Sequence, residues 1–219
     1  MSRPADAECH LETLANWVRG VDYERLPPDT LRAARYQVLN MIVAARCATR
    51  SAEASSIAPA TAALSTGEGR STVAGSHIRR APVDAALANA AYSMAQDFDD
   101  IVWMGHTCHS AVFASLAVAE HEQLDGRAFL TAVVVANEVA GRIGASAWLG
   151  PLNGQMVSYI HLVGAAAATS KLLGLDAKQT AHAMAISLMQ PSFVLQPGFM
   201  RPTSKLMVAA SPTATVAAL

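Results

Sequence analysis

The sequence predicts an all-α, multi-helix fold. Hydrophobic residues make up 52% of the 219 positions but aromatics only 5%, so the core must be built from Ala, Leu, Val and Met. Almost every apolar stretch repeats at helical spacing. The breaks between them fall at Gly/Pro punctuation such as LPPDT and GPLNG. The Ala, Gly and Ser content lets helices approach closely.

In chain order, the first helix is expected from Glu8 to Gly20, with Gly20 as its C-terminal cap. After Pro27 and Pro28, Asp29 or Thr30 is the expected N-cap of a helix from Leu31 to Cys47. It carries Leu31, Tyr36, Leu39, Ile42 and Val43 at helical spacing. A third helix is expected from Ala52 to Leu64, then a Gly/Ser-rich loop or short hairpin around Ser71–Ala74. Pro82 suits the first turn of a helix reaching Ala95. Further helices run from His109 to Glu122 and from Gly126 to Leu149, the second carrying an i,i+4 pair of Glu138 and Arg142. Past the break at Gly150–Gly154, a helix from Ser158 to Leu173 stops at Gly174, and Asp176 caps another reaching Met189. Gln190 to Pro202 reads as an irregular loop, and a last helix from Thr203 is still running at Leu219. With no repeat period, residues 1–219 read as one domain.

Composition removes several functional classes. Net charge is -1 with no Lys/Arg run, which argues against nucleic acid. Cys9, Cys47 and Cys108 are widely spaced without CxxC pairing, as for reduced thiols in the cytoplasm rather than a disulfide framework or zinc site. The start MSRPADAECHLETL has no apolar core, so no signal peptide is expected. No membrane span is expected either, because Asn137, Glu138 and Arg142 interrupt one apolar run and His161 and Lys171 the other. The apolar excess implies burial against a second copy, a homodimer.

The chemistry concentrates at Asp97-Phe98-Asp99-Asp100 followed by His106 and His109, three acids and two imidazoles within thirteen residues. Charged residues are only 15% of the chain, so this gathering beside apolar sequence is distinctive. Three readings are open. A Mg²⁺ site of the prenyl-diphosphate cyclase kind would want a third Asp where Asp99-Asp100-Ile101-Val102-Trp103 has none. A transition-metal site would use His106, His109 and an Asp. Metal-free acid–base chemistry would use crowded carboxylates, of which one keeps its proton, beside an imidazole that titrates near neutrality. A capped helix end with solvated acids is the alternative without function.

Four stretches, LANWVRGVDYERLPPDTLRAARYQVLN, TVAGSHIRRAPVDAALANAAYSMAQDFDD, SLAVAEHEQLDGRAFLTAVVVANEVAGRIG and GAAAATSKLLGLDAKQTAHAMAIS, resemble the helical domain of the MmgE/PrpD family in order along the chain. That family includes 2-methylcitrate dehydratase and cis-aconitate decarboxylase. The resemblance implies a cofactor-free, metal-independent lyase or isomerase acting on a small carboxylic acid. It places the catalytic acid/base on Asp97, its proton-transfer partner on His106, with His109 as a substitute, and a carboxylate- or enolate-stabilising ammonium on Lys205. It places Gln155 where the family has a second His, with His161 nearby, and Ile101 where the family has Thr. Ile101, His109, Gln155 and His161 are thus the expected substrate-binding residues.

The family's second, α/β domain lies over the site, and here the chain ends shortly after Lys205, so a domain without that lid is expected, with a second chain as a candidate lid. Where the family continues His-Ala-Gly-Arg, this chain has Val208-Ala209-Ala210-Ser211. Only Lys205 and Arg201 would face a tricarboxylate, which points to a less charged substrate and a more apolar pocket. The alternatives are a helical pocket recruited for a cyclisation or isomerisation in biosynthesis, and a non-catalytic dimerisation module.

Overall fold

The computed structural model describes residues 10–65, 67–102, 105–146 and 155–189. Within them the chain is helical, with one two-stranded hairpin: α1 (His10–Gly20), a 3-10 turn (Tyr23–Arg25), α2 (Pro28–Ala48), α3 (Ala54–Ala63), β1 (Ser71–Thr72), β2 (Arg79–Arg80), α4 (Pro82–Met94), α5 (Cys108–His121), α6 (Gly126–Ser146), α7 (Gln155–Leu172) and α8 (Ala177–Leu188). The all-α expectation holds. The loop from Gln190 and the last helix from Thr203 lie outside the described residues.

The centre of the bundle is α5, packed by α2, α4, α6, α7 and the hairpin. Its sequence CHSAVFASLAVAEH is buried almost all round, as expected of a helix without a polar face. Small residues make this possible: Ala111, Ala114, Ala117 and Ala119 let four helices close on it. Next to it, α6 and α7 form the most extensive helix pair, and Gly164 lies on their seam. A Cβ at Gly164 would come within 3.1 Å of Ala140 Cβ and 3.2 Å of the Ala136 carbonyl oxygen.

Helix ends follow local chemistry. Asp176 accepts from the Gln179 backbone N–H at 2.8 Å while the Gln179 side chain accepts from the Asp176 N–H at 3.0 Å, a reciprocal capping box. The expected Glu138–Arg142 pair forms on α6. The structure moves several boundaries: α3 begins at Ala54 rather than Ala52, α7 at Gln155 rather than Ser158, and α2 at Pro28, with Pro27 at the N-cap and no side-chain cap bond. Proline lacks the N–H that would be unpaired there and its φ is already helical. Asp29 thus falls inside the first turn, paired with Arg32 at 3.0 Å.

The regular spacing of Tyr36, Leu39, Ile42 and Val43 on α2 does not mark its buried face. Ala34, Met41, Ala44, Ala45 and Ala48 pack inward, and those four larger residues are exposed. Alanines win the inward side because α4 and α5 approach too closely for branched side chains.

The hairpin pairs Ser71 with Arg80 and Thr72 with Arg79. Buried Asn89 of α4 accepts from the Ala74 N–H and donates to the Thr72 carbonyl, both at 2.7 Å, and Glu120 of α5 accepts from the Thr72 N–H at 2.5 Å. Among the described residues, α6 is the one helix long and apolar enough to cross a membrane, and 56% of that window is buried in the fold.

Candidate active site

The helices α4 and α5 deliver the site. After α4 ends at Met94 the chain turns sharply at Asp97, whose φ of 59° is left-handed. Asp tolerates this region better than most residues, at a cost of roughly 1 kcal/mol. The following loop is tied to α2 by Asn40, which donates to the Phe98 carbonyl at 3.2 Å and to Asp100 Oδ1 at 3.0 Å. A tight turn closed by mutual Val102 and Gly105 backbone bonds at 2.9 and 3.1 Å then brings His106 back over Asp99. Ile160 of α7 packs under this turn: a Cβ at Gly105 would meet its Cδ1 at 2.1 Å, and one at Gly144 of α6 would meet its Cγ2 at 2.8 Å.

Asp99 is the centre of the cluster, with a side chain only 2% exposed. Its Oδ2 meets His106 Nδ1 at 2.7 Å and His109 Nε2 at 2.5 Å. Burial by itself would raise its proton affinity. The hydrogen bonds from His106 and His109, with their positive charge, outweigh burial and hold the carboxyl well below the usual range. Asp97 stands exposed beside this pair, and ligand atoms of Asp97, Asp99 and His106 lie within 4.8 Å of one another.

Behind Asp99 the environment is dry. His109 is fully buried, and its Nδ1 lies 2.7 Å from Ser93 Oγ. His161 is buried too, its ring centroid 6.0 Å from that of His109. Burial, then the neighbouring imidazoles His109 and His106, push His161 down to about 3, so it is neutral at ordinary pH. Its Nδ1 lies 3.0 Å from Ser110 Oγ, and Nε2 meets no partner among the described residues. Burial and the Asp99 charge push the Cys108 thiol up, so it is protonated and unreactive.

A second group of possible ligand atoms, on Asp99, Cys108 and His109, lies within 4.8 Å. Donors around one tetrahedral ion at about 2 Å stand about 3.3 Å apart. The 2.5 and 2.7 Å contacts to one carboxylate oxygen are closer than that, so the cluster is arranged as a hydrogen-bonded unit.

Of the residues expected from sequence, Asp97, His106 and His109 are brought together, with His161 behind them. Ile101 is on the same loop, 63% exposed. Gln155 opens α7, and Lys205, like Arg201 and Val208, lies outside the described residues. The family resemblance puts the acid/base on Asp97 rather than Asp99, and nothing in the sequence marks Ser93. Asp99 was within the recognised DFDD run, but nothing local distinguishes it from Asp97. Ser93 lies within an alanine-rich helix and is polar where its neighbours are not.

An all-helical domain with a carboxylate–imidazole cluster at the junction of two core helices defines the class. The MmgE/PrpD N-terminal domain matches residues 12–219, and the chain belongs to that family. A comparison with curated proteins finds no match.

Proposed function

We propose that this domain performs cofactor-free acid–base chemistry on a small carboxylic acid, as a lyase or isomerase. Membership of the MmgE/PrpD family supports a relationship with dehydratase- and decarboxylase-like proteins. The observation that carries the finer reading is the Asp99–His106 pair: a buried anion binds one imidazole nitrogen while the ring, 29% exposed, reaches the surface beside Asp97.

Because ionised Asp99 can only accept, the hydrogen in the 2.7 Å contact belongs to His106 Nδ1. The other nitrogen, Nε2, is then the one that exchanges a proton with substrate. Asp97 supplies the second acid/base group, held at the cluster's edge by its left-handed backbone. In a dehydration, one of the two groups takes the proton α to the carboxylate. The electron pair left behind forms the new double bond, and the β-hydroxyl departs as water after taking a proton from the other group. Lys205 would stabilise the developing enolate, and Gln155 would orient the substrate. Exposed Ile101 and Phe98 beside the acids favour a substrate with an apolar portion over a tricarboxylate.

The test is turnover of cis-aconitate, citrate, 2-methylcitrate and less charged hydroxy acids, followed by NMR, in native protein and two variants. Asp97→Asn should lower kcat by about 100-fold or more. Asp97→Gly relaxes the left-handed backbone, so it should lose turnover while keeping or raising the Tm. Full activity in a folded Asp97→Asn protein would remove Asp97 from the chemistry.

A second reading, association with a second copy through the outer face of α2, is favoured by the exposure of Tyr36, Leu39, Ile42 and Val43.

A further inference from the structure

His109 has no access to a substrate. It is 0% exposed, lies on the core side of Asp99, and is walled in by α4. We propose that His109 and Ser93 are positioning residues: Ser93 fixes the ring of His109, and His109 in turn orients and charge-compensates Asp99 for its work on His106. The proposal rests on the acid–base reading above.

The available hydrogens fix how these side chains face one another. Ser93 Oγ has one, and two acceptors are in reach, the Ala90 carbonyl at 3.0 Å and His109 Nδ1 at 2.7 Å. Whichever it serves, Nδ1 is engaged by Ser93 and only Nε2 is left to face Asp99. Asp99 is ionised, so the hydrogen in the 2.5 Å contact sits on His109 Nε2. Both imidazoles therefore donate to one oxygen, Asp99 Oδ2, from opposite ends of the cluster.

The surroundings show why two donors are needed. Among the described residues, the titratable groups around Asp99 are Asp97 and Asp100 on its own loop, His106 ahead of α5, Cys108 and His109 on α5, and His161 on α7. The Glu138–Arg142 pair of α6 is beyond Val102. Cys108 and His161 are neutral, so they offset nothing. Among the described residues, compensation of a nearly buried carboxylate thus falls to His106 and His109.

Losing the His109 donor would leave Asp99 dry with a single partner, and a carboxylate in that position takes up a proton. Protonated Asp99 would donate to His106 Nδ1 rather than accept from it. That reverses the tautomer of His106: Nε2 would carry the hydrogen and could no longer act as a base. One buried imidazole therefore controls which nitrogen of another is available at the surface.

The experiment compares native protein with His109→Leu, His109→Gln and Ser93→Ala. Carboxyl ¹³C NMR follows the titration of Asp99, and imidazole ¹⁵N NMR follows the tautomer of His106. His109→Leu should move the Asp99 midpoint upward by about one pH unit or more and shift His106 toward the Nε2–H form. His109→Gln keeps an N–H donor and should largely restore both signals. Ser93→Ala should move them in the same direction by less. A purely structural role for His109 would lower the Tm and leave both signals where they were, and that result in a folded His109→Leu protein overturns the proposal. Should His109→Leu fail to fold, unmoved signals in both His109→Gln and Ser93→Ala confine His109 to packing and overturn it equally. Where a substrate is turned over, the acid limb of kcat should shift upward with the Asp99 midpoint while KM changes little. The NMR signals decide the positioning role even if no acid is turned over, so a failure of the lyase reading is distinguishable from a failure of this one.

Discussion

His161 has a hydroxyl partner at Nδ1 and nothing at Nε2 among the described residues. Ser110 Oγ has one hydrogen and two acceptors in reach, the Thr107 carbonyl at 3.1 Å and His161 Nδ1 at 3.0 Å. The folded value of about 3 is below the ordinary 6.5, so in this interval the unfolded chain binds a proton that the folded chain refuses. The stability associated with His161 is complete above pH 6.5 and is lost as pH falls toward 3, at up to about 1.4 kcal/mol per pH unit. Asp99 acts in the same direction at lower pH, because its stabilisation is present above the ordinary carboxylate range and is lost below it. Urea midpoints at pH 7, 6 and 5 should therefore decline steadily, and His161→Gln, which cannot take up a proton, should flatten most of that decline. An equal slope in the variant would place the acid sensitivity elsewhere.

Among the helices, the pair α6 and α7 depends most on what is missing from a side chain. Leucine in place of Gly164 would have to displace Ala140 and the Ala136 carbonyl, both closer than ordinary contact. We expect Gly164→Leu to cost about 1–3 kcal/mol or to prevent folding. Gly20→Ala, at a helix end with nothing within 4 Å, should be close to neutral in the same thermal melts. The helices were legible from sequence because their signals are local: apolar spacing, the Asp176 box, Gly174 after α7. The inward side of α2 was not, because spacing shows that a face exists but not which neighbours crowd it. The site divides in the same way. The DFDD run and the two histidines stand within thirteen residues and announce themselves. The link from His109 to Ser93 spans 16 residues and that from His161 to Ser110 spans 51, and both need the helices packed before they exist.

At the scale of the whole molecule, the outer face of α2 stands out. Tyr36 and Leu39 are 66% and 59% exposed, and Phe98 and Ile101, on the loop that Asn40 ties to this helix, are 64% and 63% exposed. Large apolar side chains gathered beside a candidate site usually meet a partner. A second copy of the chain is the partner this composition favours. Sedimentation velocity should show a dimer that Leu39→Lys with Val43→Glu converts to monomer without altering the helical circular dichroism. A native protein that is monomeric at every concentration would return this face to solvent or to another chain.

The position of Ile160 has a consequence for how such a site changes over generations. One methyl-bearing arm touches the turn just before His106, and another branch touches α6 through Gly144. The aim of the surface imidazole is therefore keyed to a residue that bears no charge and meets no substrate. Trimming or enlarging it by one carbon would re-point His106 while every titratable group kept its identity. Two descendants of this sequence could thus diverge in reactivity through a silent-looking aliphatic exchange, invisible to any inspection confined to acids and histidines.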